Sequence, residues 1–380
     1  MVRCGSNALL KPRSFSGISA LACGEFVTIN QNSNDSDLAF QSRALEEVSR
    51  TFALTIPQLP CGLREVVANA YLLCRIADTI EDDPHMSLEA KRYFAEQFVR
   101  VLEGECTPMR FSAELYPQLS AQLPAVERDL VLNTPRVVRI THGFEQRQQS
   151  PMRRCVRIMS TGMASFQENA SRAGLADMAA LDSYCYHVAG VVGEMLTDLF
   201  CVHDARIDAQ RSRLQGLAVS FGQGLQMTNI LKDVWEDYAR GACWLPRDLF
   251  DNEDFSLLHM SPGTRDPAFV QGYELLLAVA RGHLKNALEF TLAMPDDQTG
   301  IRRFCLWAVG MAVLTLRRIH ATPGFRGSAQ VKISRRAVAT TIQMTNLCVR
   351  RDRMLRGMFH TFTRALPSVT LDEHALSLPR

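Results

Sequence analysis

The sequence lacks most of the signals that would settle its class at a glance. Its 11 cysteines are odd in number and scattered, with no C-x-x-C pair. That argues against a disulfide framework and against a zinc site, and fits a reducing, cytoplasmic setting. Strand-type alternation of apolar and polar residues is almost absent, so no sheet is expected. No unbroken run reaches the ~18 apolar residues of a membrane-spanning helix. The nearest, 304–316, is bounded by Arg302, Arg303, Arg317 and Arg318 and reads as a buried core helix. The N-terminus carries Arg3, Lys11 and Arg13 but no continuous apolar stretch, which speaks against a secretory signal; a Ser-containing transit peptide is the weaker alternative to a plain leader. Net charge is +2, too balanced to argue for nucleic acid or, by itself, for an anionic membrane. There is no G-x-G-x-x-G fingerprint, low-complexity tract or short-period repeat.

What is present is material for a large core. Of 380 residues, 47% are apolar and 22% charged. Residues 1–38 read as a loose leader, with a polar run at 31–37. Helical periodicity begins near Leu38. Helices are expected at about 61–82, stopped by Asp83-Pro84, then at 87–102 and at 124–149 with a kink or split at Pro135. Others are expected at 152–172, 178–201, 211–239, 266–293, 298–320 and 333–360. The fold expectation is all-α: a single large helical domain over 39–365 around a central cavity, followed by a tail at 366–380.

Two clusters share the pattern D-x-x-E-D: Asp78, Glu81, Asp82 and Asp233, Glu236, Asp237. Positions i, i+3 and i+4 fall on one helix face, so each cluster crowds carboxylates that repel one another. A hard divalent cation resolves that repulsion, and Mg²⁺ typically takes one or two carboxylates together with substrate phosphates. On the first helix, Tyr71, Arg75, Asp78 and Asp82 share a stripe, and the remaining faces are apolar. Arg75 there can neutralise part of the charge or grip a phosphate. A solvated acidic helix end with an i,i+3 Arg–Asp pair reads the same residues differently. On the second helix, Gln226, Asn229, Asp233 and Asp237 make a polar stripe beside Ile230, Leu231, Val234 and Trp235. Amide oxygens and carboxylates together form an oxygen-rich shelf for a metal, and Lys232 and Arg240 offer charge to phosphates.

Several segments carry a resemblance. They are Ser49-Arg50-Thr51-Phe52, the run from Tyr71 through Arg75 and Asp78 to Asp83, Tyr184-Cys185-Tyr186-His187-Val188-Ala189-Gly190, and Leu225-Gln226-Met227-Thr228-Asn229-Ile230-Leu231-Lys232-Asp233. In this order and approximate spacing the chain resembles the squalene/phytoene synthase family, the head-to-head prenyl transferases, over about 40–350. The resemblance implies that Ser49, Arg50, Thr51, Phe52, Arg75, Gln226, Asn229 and Lys232 bind a prenyl diphosphate. It implies Mg²⁺ at Asp78, Glu81, Asp82, Asn229, Asp233 and Asp237, and catalytic roles for Tyr184, Arg75 and Tyr71. Tyr186 and His187 are taken as structural. Ala189, Gly190 and Gly193 suit close helix approach, or room for a hydrocarbon, with Phe304, Cys305 and Leu306 as further lining. The loop 241–246, with Trp244, reads as a mobile flap that excludes water.

Within the family, the wording of the first acidic motif and Val331-Lys332-Ile333-Ser334-Arg335-Arg336 are similar to the squalene-type branch. That implies condensation of two farnesyl diphosphates to presqualene diphosphate, then reduction by NADPH, with Lys332 and Arg335 at the cofactor. Ser334 departs from the family's basic residue there. Alternatives are a phytoene- or dehydrosqualene-type synthase without the reductive step, a non-catalytic assembly protein of the same fold, and a terpene cyclase. The absence of a C-terminal anchor segment suggests a soluble, bacterial-type form. A monomer is expected, with no nucleic-acid partner and with peripheral membrane contact because the product is insoluble in water.

Overall fold

The computed structural model describes residues 26–251 and 255–369. Among these there is no strand, only an isolated bridge between Leu175 and Pro246. The all-α expectation holds.

The helix Leu63–Asp82 is the central one. From Val66 to Ile80 every residue is buried except Tyr71, Arg75 and Asp78. An apolar helix surrounded by others, with one polar stripe left partly open, is what its sequence periodicity dictates. Buried Asn69 fastens it to its neighbours. Its amide donates to Thr141 Oγ1 at 2.7 Å and to the Val137 carbonyl at 3.2 Å, and it accepts from Gln41 at 3.2 Å. The stop at Asp83-Pro84 is a built corner. Asp83 is buried, and its carboxylate accepts from the backbone N–H groups of His85, Met86 and Ser120.

The second acidic helix spans Arg211–Ala239, as expected. It packs most extensively on Pro267–Ala293 and also on Val191–His203, which in turn touches Leu63–Asp82. Gly193 and Gly222 set that spacing. A Cβ on Gly193 would lie 2.1 Å from the Ala218 carbonyl oxygen, and one on Gly222 would lie 2.1 Å from that of Ala189. Close approach therefore explains Gly193. The two acidic helices do not pack extensively on each other. Asp82 of the first and Asp237 of the second are nonetheless near enough to act on each other's charge, so the two acidic faces border a common cleft.

Several boundaries differ from the expected ones. The first helix begins at Phe26, not near Leu38, and runs to Val48. Its Asp37 is buried, paired with Arg136 at 2.9 Å and Arg139 at 2.7 Å, so the polar run continues into structure through long-range ion pairs. Residues 1–25 and 370–380 of the expected leader and tail lie outside the described residues. The expected helix 124–149 is split into Ala125–Leu132 and Thr134–Gly143, with Pro135 in the first turn of the second piece. A third helix, Gln146–Glu168, absorbs the expected start at 152; its capping box joins Glu145 and Gln148. Pro108–Leu115 was not expected at all. The last expected helix breaks into Arg335–Cys348 and Asp352–Thr363.

Two helical stretches, Met178–His203 and Thr299–His320, are long and apolar enough by length and composition to cross a membrane. Both are mostly buried within the bundle. The apolar run at 304–316 is thus a core helix, and the expected helix at 178–201, interrupted by Asp182, Glu194 and Asp198, is mostly buried likewise.

Candidate active site

The open stripe of the first acidic helix faces the cleft. Tyr71 packs on Phe52 with ring centroids 5.1 Å apart, and Phe52 leads to Phe304 at 6.5 Å, then Phe200 at 6.2 Å. These rings form an apolar wall below the polar stripe. Phe304 belongs to it, whereas Leu306, two residues on, lies in a separate cluster on the other side of the same helix. Ser49 Oγ accepts from the Phe52 N–H at 3.0 Å, which fixes the turn into Phe52–Thr55. Arg50 and Thr51 are exposed.

Arg75 lies 3.9 Å from Asp78 and donates to Glu127 of the Ala125–Leu132 helix. Glu127 was missed from sequence. A glutamate in a first helical turn reads as ordinary favourable placement, and no local signal announces a partner 52 residues away. Burial pushes Asp78 up to about 7; Arg75 opposes this, while Asp82 and Glu127 add to it. Burial and the neighbouring Asp82 push Glu81 up to about 8, against a hydrogen bond from Gln167 and the charge of Lys91.

On the second helix, Lys232 lies 3.1 Å from Asp233 and donates to Asn229 Oδ1 at 3.3 Å. Arg240 pairs with the buried Asp237. Burial raises both Asp233 and Asp237, and Asp82, across the cleft, adds to the push on Asp237. Gln226 is half-buried on the same stripe. Glu236, the third acid of the pattern, turns away. Its Oε1 accepts from the Ser328 N–H and hydroxyl, both at 2.8 Å, and those donors outweigh burial and hold it low. The same contact ties the second acidic helix to Ser328–Val331, just ahead of Lys332 and Arg335, both exposed. Ser334 caps the Arg335–Cys348 helix by accepting from the Ala337 N–H at 3.1 Å. A basic side chain there could not do so, which gives the departure from the family pattern a structural reason.

Tyr184 lies between the clusters. Burial raises its phenol well above the usual range, and Glu81, Asp237 and Asp82 add to the push. Carboxylates from both helices thus act on one hydroxyl. It lies in the last turn of Met178–Cys185, just before a π-helical turn, Tyr186–Gly190. Trp244 stacks on its ring. The loop expected to be a mobile flap is docked: Cys243 N–H donates to the Ser171 carbonyl, Leu175 N–H to that of Leu245, and Arg247 N–H to that of Leu175, each at 2.9 Å. Gly174 permits this, since a Cβ would meet the Leu245 oxygen at 2.5 Å. His187 packs on Gly162 and bonds the Ser183 carbonyl through Nδ1 at 2.8 Å, a structural placement as expected.

No group of three His, Cys, Asp or Glu among the described residues converges closely enough to form a metal cage by itself. The acids instead lean on Arg75, Lys91, Lys232 and Arg240. Four of them, Asp78, Glu81, Asp233 and Asp237, remain raised despite those cations. A cleft short of positive charge, lined by oxygen donors, suits a hard cation bound together with an anion.

Comparison with known proteins gives the family and the fold. The model of the squalene/phytoene synthase family matches residues 45–337. A squalene synthase of Candida albicans is 29% identical over 296 residues, which are 76% of this chain and 63% of that protein. The chain therefore spans under two thirds of that relative. The solved complex of TcSQS with the ligand E5700 superposes with a TM-score of 0.67 at 24% identity, covering 87% of this chain and 91% of that one. A dehydrosqualene synthase in complex with ligand gives 0.61 at 20% identity, covering 87% and 99%.

Proposed function

The chain belongs to the squalene/phytoene synthase family, and from that premise we propose that it joins two farnesyl diphosphates head to head, through presqualene diphosphate, and reduces the product to squalene. The observation that carries this reading is the place of Tyr184, buried and stacked on Trp244, with Glu81 and Asp82 of one acidic helix and Asp237 of the other near enough to act on it.

Arg75, Lys232 and Arg240 now compensate carboxylates, and a diphosphate entering the cleft would draw them to itself. Arg50 adds an exposed guanidinium at the rim. Asp78, Glu81 and Asp82 on one side and Asn229, Asp233 and Asp237 on the other are the residues that would hold Mg²⁺, which would supply positive charge for a departing diphosphate. Tyr184 stays protonated at working pH, so its hydroxyl can donate to the leaving group. Tyr71, Phe52 and Phe304 give the prenyl chain an apolar wall whose ring faces favour a cation. The docked Trp244 loop keeps water from quenching that cation. Lys332 and Arg335 are the residues that would hold the phosphates of NADPH, which would supply hydride for the reductive step. The Glu236–Ser328 contact holds that segment beside the second acidic helix.

The test is one incubation of the full chain with labelled farnesyl diphosphate, Mg²⁺ and NADPH. Squalene is the expected product. Dehydrosqualene or presqualene diphosphate as the end product with NADPH present would overturn the reductive half. A strict requirement for geranylgeranyl diphosphate would overturn the substrate.

A further inference from the structure

Charge is unevenly spread along this chain. Residues 332–364 hold eight Lys and Arg side chains and one acid, Asp352, against a net +2 for the whole, so the remainder is net acidic. Asp352 is already engaged. The buried Arg302 donates to its Oδ1 at 2.7 Å and to the Val349 carbonyl at 3.0 Å, and holds the Leu292 and Met294 carbonyls as well. This clasp fixes the elbow between Arg335–Cys348 and Asp352–Thr363. Cys348, Val349 and Leu355 anchor its inner side against Leu288, Leu292 and Trp307.

The outer side of the elbow presents Arg350, Arg351 and Arg353, all exposed and none in an ion pair among the described residues. Beside them Leu347 is 78% exposed and Met354 46%. One exposed leucine is ordinary. Two large exposed apolar side chains on one elbow, interspersed in sequence with three guanidiniums that have no ion-pair partner among the described residues, have the chemistry of an interfacial anchor; Arg351 also reaches the Met354 sulfur at 3.6 Å. A narrow, almost wholly apolar cavity between this helix pair and Thr299–His320, lined by Val313, Met344, Leu355, Met358 and Phe362, lies in the same part of the molecule.

We propose that this elbow seats the protein on an anionic lipid surface, with Leu347 and Met354 entering the headgroup boundary and Arg350, Arg351 and Arg353 meeting lipid phosphates. Charge alone would equally suit a nucleic acid, but that partner leaves Leu347 and Met354 in water. The proposal stands apart from the reaction, because it needs no prenyl substrate.

The experiment is sedimentation of the full chain with phosphatidylcholine vesicles, with and without phosphatidylglycerol, at low and high salt. Binding is expected to the anionic vesicles and to weaken with salt. The R350Q/R351Q/R353Q variant should lose partitioning on the order of 100-fold. The L347S/M354S variant should lose on the order of tenfold while keeping the thermal unfolding curve of the parent. Equal binding to neutral vesicles, no binding, or undiminished binding by either variant overturns the proposal. So does binding of an RNA oligomer that L347S/M354S leaves intact. A dimer that L347S/M354S converts to monomer would assign the elbow to a second copy of this chain instead.

Discussion

Trp244 stacks on Tyr184 with ring centroids 4.2 Å apart and planes 7° from parallel. Phe166 also meets Tyr184 edge-on at 5.3 Å. The phenol that both acidic helices act on thus has two aromatic neighbours, one of them from the docked loop. Trp244→Ala should cost about 3 kcal/mol in stability, because it empties a buried site beneath a docked loop. It should also raise the share of water-captured prenyl alcohol among the products, since the loop excludes solvent. Trp244→Phe should recover most of both. Product chromatography with thermal unfolding measures the pair; an unchanged alcohol fraction in Trp244→Ala would remove the loop's water-excluding role.

The raised carboxylates set a second expectation, in which function and stability diverge. Asp78 is pushed up to about 7 by burial and by its acidic neighbours. The substrate-free fold is therefore strained by keeping it ionised. Asp78→Asn should raise Tm of the free protein by about 3 °C at neutral pH, yet lower turnover by at least about 100-fold. Asp233→Asn should behave alike in direction. Turnover retained at saturating Mg²⁺ in either variant would dismiss the metal-holding role.

Glycines at the helix crossing give a contrast that tests packing alone. Gly193→Ala must push its Cβ into the Ala218 carbonyl, which is backbone and cannot rotate aside. A loss of about 2–3 kcal/mol is expected. Gly216→Ala, on the exposed face of the second acidic helix, has nothing within 4 Å of the new Cβ. It should stabilise by about 0.5–1 kcal/mol through helix propensity. Urea unfolding of both variants decides it; a neutral Gly193→Ala would show that the crossing is looser than its backbone geometry.

What could be read from sequence followed the reach of the signal. The stripe of Tyr71, Arg75 and Asp78 was legible because helical periodicity places those residues together whatever surrounds them. The span Arg211–Ala239 was legible because nothing interrupts it until Gly241, which takes a left-handed φ of 95°. Glu127, Gln167 and Ser328 were not legible, because each meets the acidic clusters across long sequence separations that leave no local trace. Glu236 shared the period of Asp233, yet a contact from Ser328 turned it outward. The same limit hid the extension of the first helix ahead of Leu38, where Asp37 is held by Arg136 and Arg139 rather than by an apolar stripe.

A histidine outside the cleft should make the fold acid-sensitive. His283 is buried, 2.8 Å from Ser220 Oγ, which also accepts from Asn286 at 3.1 Å. Burial lowers its pKa from 6.5 to about 4, so the folded protein keeps it neutral. The unfolded chain binds a proton at 6.5 and the folded one only near 4. Stability therefore rises with pH across that window, is fully present above 6.5, and is lost as pH falls toward 4. The part owed to this residue is on the order of 3 kcal/mol. His283→Gln, which can still meet Ser220, should flatten the stability profile between pH 4 and 6.5 while costing little at pH 7.5. Urea midpoints at pH 5 and 7.5 measure it. A parent and variant with parallel profiles would mean that His283 accepts its proton within the fold, through an opening of the Ser220–Asn286 contact.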